Sequence, residues 1–272
     1  MKAKVLPFFV PRAYAEIALS AAALAWAHGS YADSTGTWSY AVFIFFGTLT
    51  VYNLLRAVSL FRRVQTEQDW RTVPDLLFVP LHLLLTLVAG IAAVVLLFYQ
   101  NLPLNIFLMV CLLFLLTLSY RFRWFRYQGK KVALSDLPYL KSILLAAIWT
   151  LMCSIIPLNL EPGNGLLHLA FFLYFLGLSI PFDIRDLKKD VPSRKTIPQV
   201  LGVHRACKLS LFLLLSAHIL LTYQMQYSIY LFMFSALTHT FLMIRVCRNK
   251  EKAVNYRLLD AAPILLALGM AF

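Results

Sequence analysis

Three carboxylates, Asp183, Asp186 and Asp190, stand close together in the run PFDIRDLKKDVPSRKTIPQVLG that extends from Pro181 to Gly202. At about 100° per residue, a helix gathers all three within roughly 60° of arc, on one face. Arg185, Lys188 and Lys189 then point elsewhere. Like charges held this closely repel unless a cation sits between them, and an oxygen-only donor set suits a hard ion such as Mg²⁺. A phosphate-bearing ligand is the natural partner of such an ion. The plainer alternative is a solvated helix end neutralised by its own lysines, Lys188 and Lys189.

The rest of the chain must position these acids in hydrocarbon. Of 272 residues, 61% are hydrophobic and 14% charged, and the mean hydropathy is +0.74. A soluble domain of this length is far more polar. Hydropathy places nine helices near 13–28, 38–60, 75–99, 103–120, 138–157, 165–182, 207–223, 227–245 and 257–272, each close to the length that spans a bilayer. The expected fold is therefore all-α: a nine-helix membrane bundle with a central cavity open to the cytoplasm, in one domain over residues 1–272. Ala25-Trp26-Ala27 resembles a cleavage site, but Glu16 interrupts the apolar run before it, so the first helix is read as retained.

Net charge is +13, which in a soluble chain points to nucleic acid. The positions of the charges point instead to a membrane. All 25 Lys and Arg fall at 2–12, 56–71, 121–141, 185–208 and 245–257, the connections that face one side when the helices alternate. This is the positive-inside pattern, and it predicts an integral membrane protein of a bacterial inner membrane, N-terminus cytoplasmic and C-terminus outside, with no nucleic-acid partner. Basic residues there also attract anionic lipid headgroups.

Cys111, Cys153, Cys207 and Cys247 show neither paired nor metal-ligand spacing, and two face the reducing side; free thiols are expected. The six histidines include no i, i+3 or i, i+4 pair, which argues against a bis-histidine haem. No glycine-rich phosphate loop is visible. The outward connections are near-minimal and the inward ones long and charged, so function is expected to face the cytoplasm.

Asp183-Ile-Arg-Asp186-x-x-x-Asp190, followed by Lys195-Thr196-Ile-Pro198 and Leu201-Gly202, at the inner end of a sixth helix, resembles the second acidic motif of the UbiA superfamily of intramembrane prenyltransferases. Tyr139-Leu-Lys141 is similar to the family's lysine on helix 5. The resemblance implies Mg²⁺ on Asp183, Asp186 and Asp190 and the diphosphate of a polyprenyl donor held by Lys195, Thr196 and Lys141. It also implies an apolar tunnel for the prenyl chain and transfer of that chain to an aromatic or lipid acceptor. Asp183, Asp186, Asp190 and Lys195 are then the catalytic candidates.

The first acidic motif of that family is missing. Where the pattern asks for aspartates, helix 2 has Leu54, Ala57 and Phe61, and only Asn53 matches. Asn53, Arg56 and Arg63 share one side of this helix, at roughly 0°, 300° and 280°. Two guanidiniums can neutralise a diphosphate by forked hydrogen bonds, giving a hybrid site with Mg²⁺ on one wall and arginines on the other. The same arginines can instead pair with the aspartates as salt bridges. The protein would then be an inactive relative that binds lipid or isoprenoid without diphosphate chemistry. A transporter would call for broken helices or inverted repeats, and neither stands out.

Overall fold

The computed structural model describes residues 14–31, 37–66, 79–99, 103–127, 129–157, 164–187, 194–225, 229–248 and 253–271. The chain is mostly helical. The helices are α1 (Ala15–Tyr31), α2 (Thr37–Thr66), α3 (Val79–Tyr99), α4 (Leu104–Arg121), α5 (Leu140–Thr150), α6 (Gly165–Asp186), α7 (Ile197–Leu201), α8 (Val203–Met225), α9 (Ile229–Arg248) and α10 (Ala253–Ala271). Among the described residues, four stretches are long and apolar enough to cross a membrane: Trp38–Val58, Val79–Tyr99, Gly165–Asp186 and Val203–Gln224. Shorter apolar helices run over Leu104–Tyr120, Leu140–Ile155 and Leu258–Leu268. An integral membrane protein follows from these spans.

The helices pack largely in chain order. α1 packs on α2 and α2 on α3; α4 packs on α5, α5 on α6, α6 on α8, α8 on α9 and α9 on α10, and α10 returns to α1. Where α1 packs on α10, the α1 side is small, with Ala18, Ala21 and Ala25 buried, and the α10 side buries Leu259, Ala262 and Leu266. Small side chains let helix backbones approach where no hydrophobic effect drives them together. The α6–α8 seam uses the same device: Gly177 lies where a Cβ would come within 2.9 Å of Leu214, and the Ser210 hydroxyl donates to the Gly177 carbonyl at 2.6 Å.

In hydrocarbon, polar groups must find partners inside the protein. The end of α5 shows how. The helix widens into a π segment, Leu151–Ile155, and Ile156 N–H bonds to Leu151 C=O. Pro157 follows and has no N–H to give. The carbonyls it leaves are served from the neighbouring helices. Tyr40 of α2 donates to Met152 C=O at 2.9 Å, and His28 Nδ1 of α1 lies 3.1 Å from Cys153 C=O. His218, His239, Ser235 and Tyr174 form a second such network. His239 Nε2 is 2.7 Å from the Tyr174 hydroxyl and its Nδ1 is 2.8 Å from Ser235 C=O. His218 Nδ1 faces Leu214 C=O at 2.7 Å and its Nε2 the Ser235 hydroxyl at 3.1 Å. Tertiary packing thus brings these two histidines together, and both ring nitrogens of each already have protein partners.

At the basic end, where α4 and α6 finish and α5 begins, the structure adds elements that the hydropathy profile does not contain. A two-stranded antiparallel hairpin, β1 (Phe125–Tyr127) with β2 (Lys130–Val132), is exposed on the surface. A 3₁₀ turn, Leu134–Asp136, follows it. Asp136 is bound by the Arg194 guanidinium, lies 3.7 Å from Arg123 and accepts from Ala133 N–H at 3.2 Å. Tyr139 N–H bonds to Arg194 C=O at 3.0 Å, which ties the 121–139 connection to the segment entering α7. Cys207 and Cys247 form a disulfide, which corrects the expectation of four free thiols. They are 40 residues apart in sequence, and only the side-by-side packing of α8 and α9 brings the start of one level with the end of the other. Cys111 and Cys153 are free.

Replacing Gly177 by Ala should destabilise the bundle by about 1–3 kcal/mol, because Leu214 is itself buried and has little room to give; thermal unfolding in detergent reads the loss. Asp136 supplies a pH test. Burial alone would raise its pKa, but the Ala133 N–H and the Arg194 guanidinium outweigh that and hold it below the usual carboxylate value. The clamp therefore contributes fully above pH about 4, the unfolded-state value, and is lost as pH falls through the lower native value. Asp136→Asn should cost about 1.5–3 kcal/mol at neutral pH and flatten the acid limb of the stability profile.

Candidate functional site

A cavity of about 1520 Å³ lies inside the bundle. It is lined from α1, α2, α3, α4, α5, α6 and α10, mostly by apolar and aromatic residues. The charged residues on its wall are Arg56, Lys141, Asp183, Arg185, Asp186 and Asp260, and the tyrosines are Tyr14, Tyr52, Tyr120 and Tyr256. Lys141, Asp183, Arg185 and Asp186 all stand at the basic end, where α5 starts and α6 stops. The result is a long apolar chamber with ionic groups at one end of its wall.

Asp183 is the most deeply placed of these acids, at 2% exposure. Lys141 Nζ lies 2.9 Å from its Oδ1, and the neighbouring Ser142 hydroxyl donates to its Oδ2. Consecutive positions at the first turn of α5 thus serve both oxygens of one carboxylate on α6. Asp186, one turn later, receives a forked pair from Arg185, Nε to Oδ1 at 3.0 Å and an Nη to Oδ2 at 3.1 Å. The same guanidinium lies 5.1 Å from the centre of the Phe182 ring and 5.2 Å from that of Tyr256. Planar arginine favours stacking of this kind.

The sequence expectations divide on this geometry. Asp183, Asp186, Arg56 and Lys141 share the cavity wall. Asp190 lies outside the described residues, as does the side chain of Arg63, whose backbone belongs to α2. Asn53 is fully buried away from the cavity. Its amide donates to Leu49 C=O at 2.9 Å and its Oδ1 meets His82 Nδ1 at 2.7 Å, so it joins α2 to α3 instead of facing a ligand. Lys195 is exposed, with Nζ 5.8 Å from the centre of the Tyr139 ring. Thr196 is the N-cap of α7, its N–H bonded to the Gln199 side chain at 2.9 Å. Neither lines the cavity. Both precede a proline-initiated helix, and that local geometry turns them away.

Arg185, expected to point away from the acids, instead grips Asp186 on the cavity wall, because a long side chain can fold back from a neighbouring helical position. Ser142 and Tyr256 were not picked out from sequence. Ser142 had one signal, its place beside Lys141. Tyr256 had none, since its role depends on how α10 meets α6.

For Mg²⁺, the donor set is the test. Among the described residues no three His, Cys, Asp or Glu side chains converge. Both oxygens of Asp183 and both of Asp186 already face a cation or hydroxyl of the chain. Asp190, the third of the expected ligands, lies outside the described residues, so the described donor set is Asp183 and Asp186, each held by a cation of the chain.

No family model matches the chain, and comparison with curated proteins and with solved structures yields no match.

The Lys141–Asp183 pair can be tested by a double-mutant cycle. Lys141→Met should cost about 3–5 kcal/mol, since it leaves a buried carboxylate short of its ammonium. Adding Asp183→Asn should recover most of that loss. Strictly additive losses in thermal unfolding would show that the two groups do not depend on each other.

Proposed function

We propose that the chamber holds a polyprenyl diphosphate and that the protein is an intramembrane prenyltransferase, moving the prenyl group to an aromatic or lipid acceptor. One observation carries this reading: a cavity of about 1520 Å³, apolar over most of its wall, with Arg56, Lys141 and Arg185 among its ionic groups, where Asp183, Asp186 and Asp260 also stand. That is the chemistry of a long chain with an anionic head. The UbiA-like run from Asp183 to Gly202 supplies the reaction class. In this proposal all nine long helices cross the membrane, and the basic end faces the cytoplasm, where prenyl diphosphates are water-accessible.

The chain's own groups divide the work. Lys141, Arg56 and Arg185 neutralise charge that builds on the departing diphosphate, in a site from which water is largely excluded. Asp183 holds Lys141 in place, and Asp186 does the same for Arg185. As the carbon–oxygen bond breaks, positive charge develops on the allylic carbon, and the faces of Tyr52, Tyr120 and Trp149 on the cavity wall can stabilise it. The acceptor then forms the new bond to carbon and gives up its proton to water or to the departed diphosphate.

A second reading has its own support. Asp183 and Asp186 are already paired with Lys141 and Arg185, as in a bundle that binds lipid or isoprenoid and performs no diphosphate chemistry. Purified protein incubated with labelled prenyl diphosphates of several lengths, with and without Mg²⁺, separates the two. The transferase reading expects pyrophosphate release that Asp186→Asn abolishes in a folded protein. It also expects Arg56→Ala to weaken diphosphate binding by about tenfold or more, the loss of one charged hydrogen bond. Binding without release at every chain length favours the second reading. Unchanged affinity in Arg56→Ala removes arginine from the head-group site.

A further inference from the structure

The β1–β2 hairpin is built in a way that water alone does not favour. It leaves α4 directly: Phe122 caps that helix, with its N–H on Leu118 C=O, and Trp124 N–H bonds back to Phe122 C=O at 3.1 Å. The Phe122 and Trp124 rings stack with their centres 5.7 Å apart. In the ladder Phe125 faces Val132, Tyr127 faces Lys130 and Arg126 faces Lys131. Side chains alternate along a strand, so one face carries Phe125, Tyr127, Val132 and Lys130, and the other carries the Arg126–Lys131 pair. Trp124, Phe125 and Tyr127 are 55%, 42% and 44% exposed, and Arg126, Lys130 and Lys131 are exposed with them. No Asp or Glu occurs from Phe122 to Ala133. Like charges directly opposite each other destabilise a ladder, and a lone two-stranded hairpin is marginal in water even without them. Its base is nevertheless fixed, because Asp136 holds Arg194 and lies 3.7 Å from Arg123. An anion shared by Arg126 and Lys131, and a half-apolar setting for the rings, would remove both penalties.

We propose that this hairpin is a binding site for anionic phospholipid, seated in the headgroup layer beside the end of α4. Its place in the chain fits that layer. α4 is apolar from Leu104 to Tyr120, so the residues just past it stand where hydrocarbon gives way to headgroups. The layer is about 5–8 Å deep in each leaflet, and two strands about 4.8 Å apart fit within it. Trp and Tyr favour this depth, where one end of the ring is apolar and the other wet. Arg126 and Lys131 then close on one headgroup phosphate from opposite strands, the arginine by a forked pair of hydrogen bonds, while Arg123 and Lys130 add charge. A soluble phosphate would satisfy the cations but leave three aromatic rings in water, and the rings therefore favour a lipid. None of residues 122–133 lines the chamber, so this site does not depend on what the chamber holds.

The test uses the full chain in phosphatidylcholine vesicles that carry a small share of phosphatidylglycerol with a diazirine on its headgroup. After illumination, cross-linked peptides are mapped by mass spectrometry. Labelling is expected within residues 122–133, and excess unlabelled phosphatidylglycerol should displace it. Arg126→Gln with Lys131→Gln should reduce it by about tenfold, the loss of two cations at the membrane surface, and Arg126→Lys with Lys131→Arg should restore it. Arg205→Gln with Lys208→Gln removes two exposed cations at the start of α8 and should leave it unchanged. Should the glutamine pair fail to fold, the unaltered protein decides alone: phosphatidylcholine bearing the same diazirine should label the segment several-fold less. Equal labelling by the phosphatidylcholine probe, or labelling that survives the glutamine pair, overturns the proposal. Displacement by inorganic phosphate at the same concentration also overturns it, and marks a site for a free anion instead.

Discussion

A carboxylate with 2% of its surface exposed, on the wall of an apolar chamber, stays charged only if the protein brings a cation to it. Asp183 has that cation in Lys141, 2.9 Å away. Isolated burial of a charge costs several kcal/mol, and attraction to a partner offsets this only when geometry is good and remaining lone pairs are also served. The Ser142 hydroxyl meets the second condition. The pair fixes the start of α5 against the end of α6, and these two helices carry much of the ionic part of the chamber.

The same constraint, applied to neutral groups, explains the polar residues spread through the other helices. Asn53 and His82 join α2 to α3, Tyr40 and His28 complete the carbonyls around the π segment, and Tyr174, His218, Ser235 and His239 join α6, α8 and α9. Each link is a donor on one helix meeting an acceptor on another. In lipid an unmet partner has no water to turn to, so such pairs fix helix register as well as adding stability. The π segment belongs to this logic: Pro157 withdraws a donor, and side chains of α1 and α2 replace it.

Packing is close at the α1–α10 and α6–α8 seams, where Ala21, Ala262 and Gly177 are buried, and these seams hold the chamber's shape.

Hydropathy and the segregation of 25 basic residues made the helical layout readable along the chain: the expected segments near 75–99, 103–120 and 165–182 lie close to α3, α4 and α6. Spacing alone put Asp183 and Asp186 on one face, and they do share the cavity wall. Such readings succeed because helix period and apolar length are properties of adjacent residues. The exposed hairpin at 125–132, the Cys207–Cys247 bond, the turning away of Asn53, Lys195 and Thr196, and the grip of Arg185 on Asp186 were not readable in this way. Whether a polar side chain faces a void, a lipid or another helix depends on which distant segment packs beside it. Sequence therefore determined which groups are available and at what depth, while tertiary packing decided their partners, because in hydrocarbon a polar group goes where a complementary one awaits it.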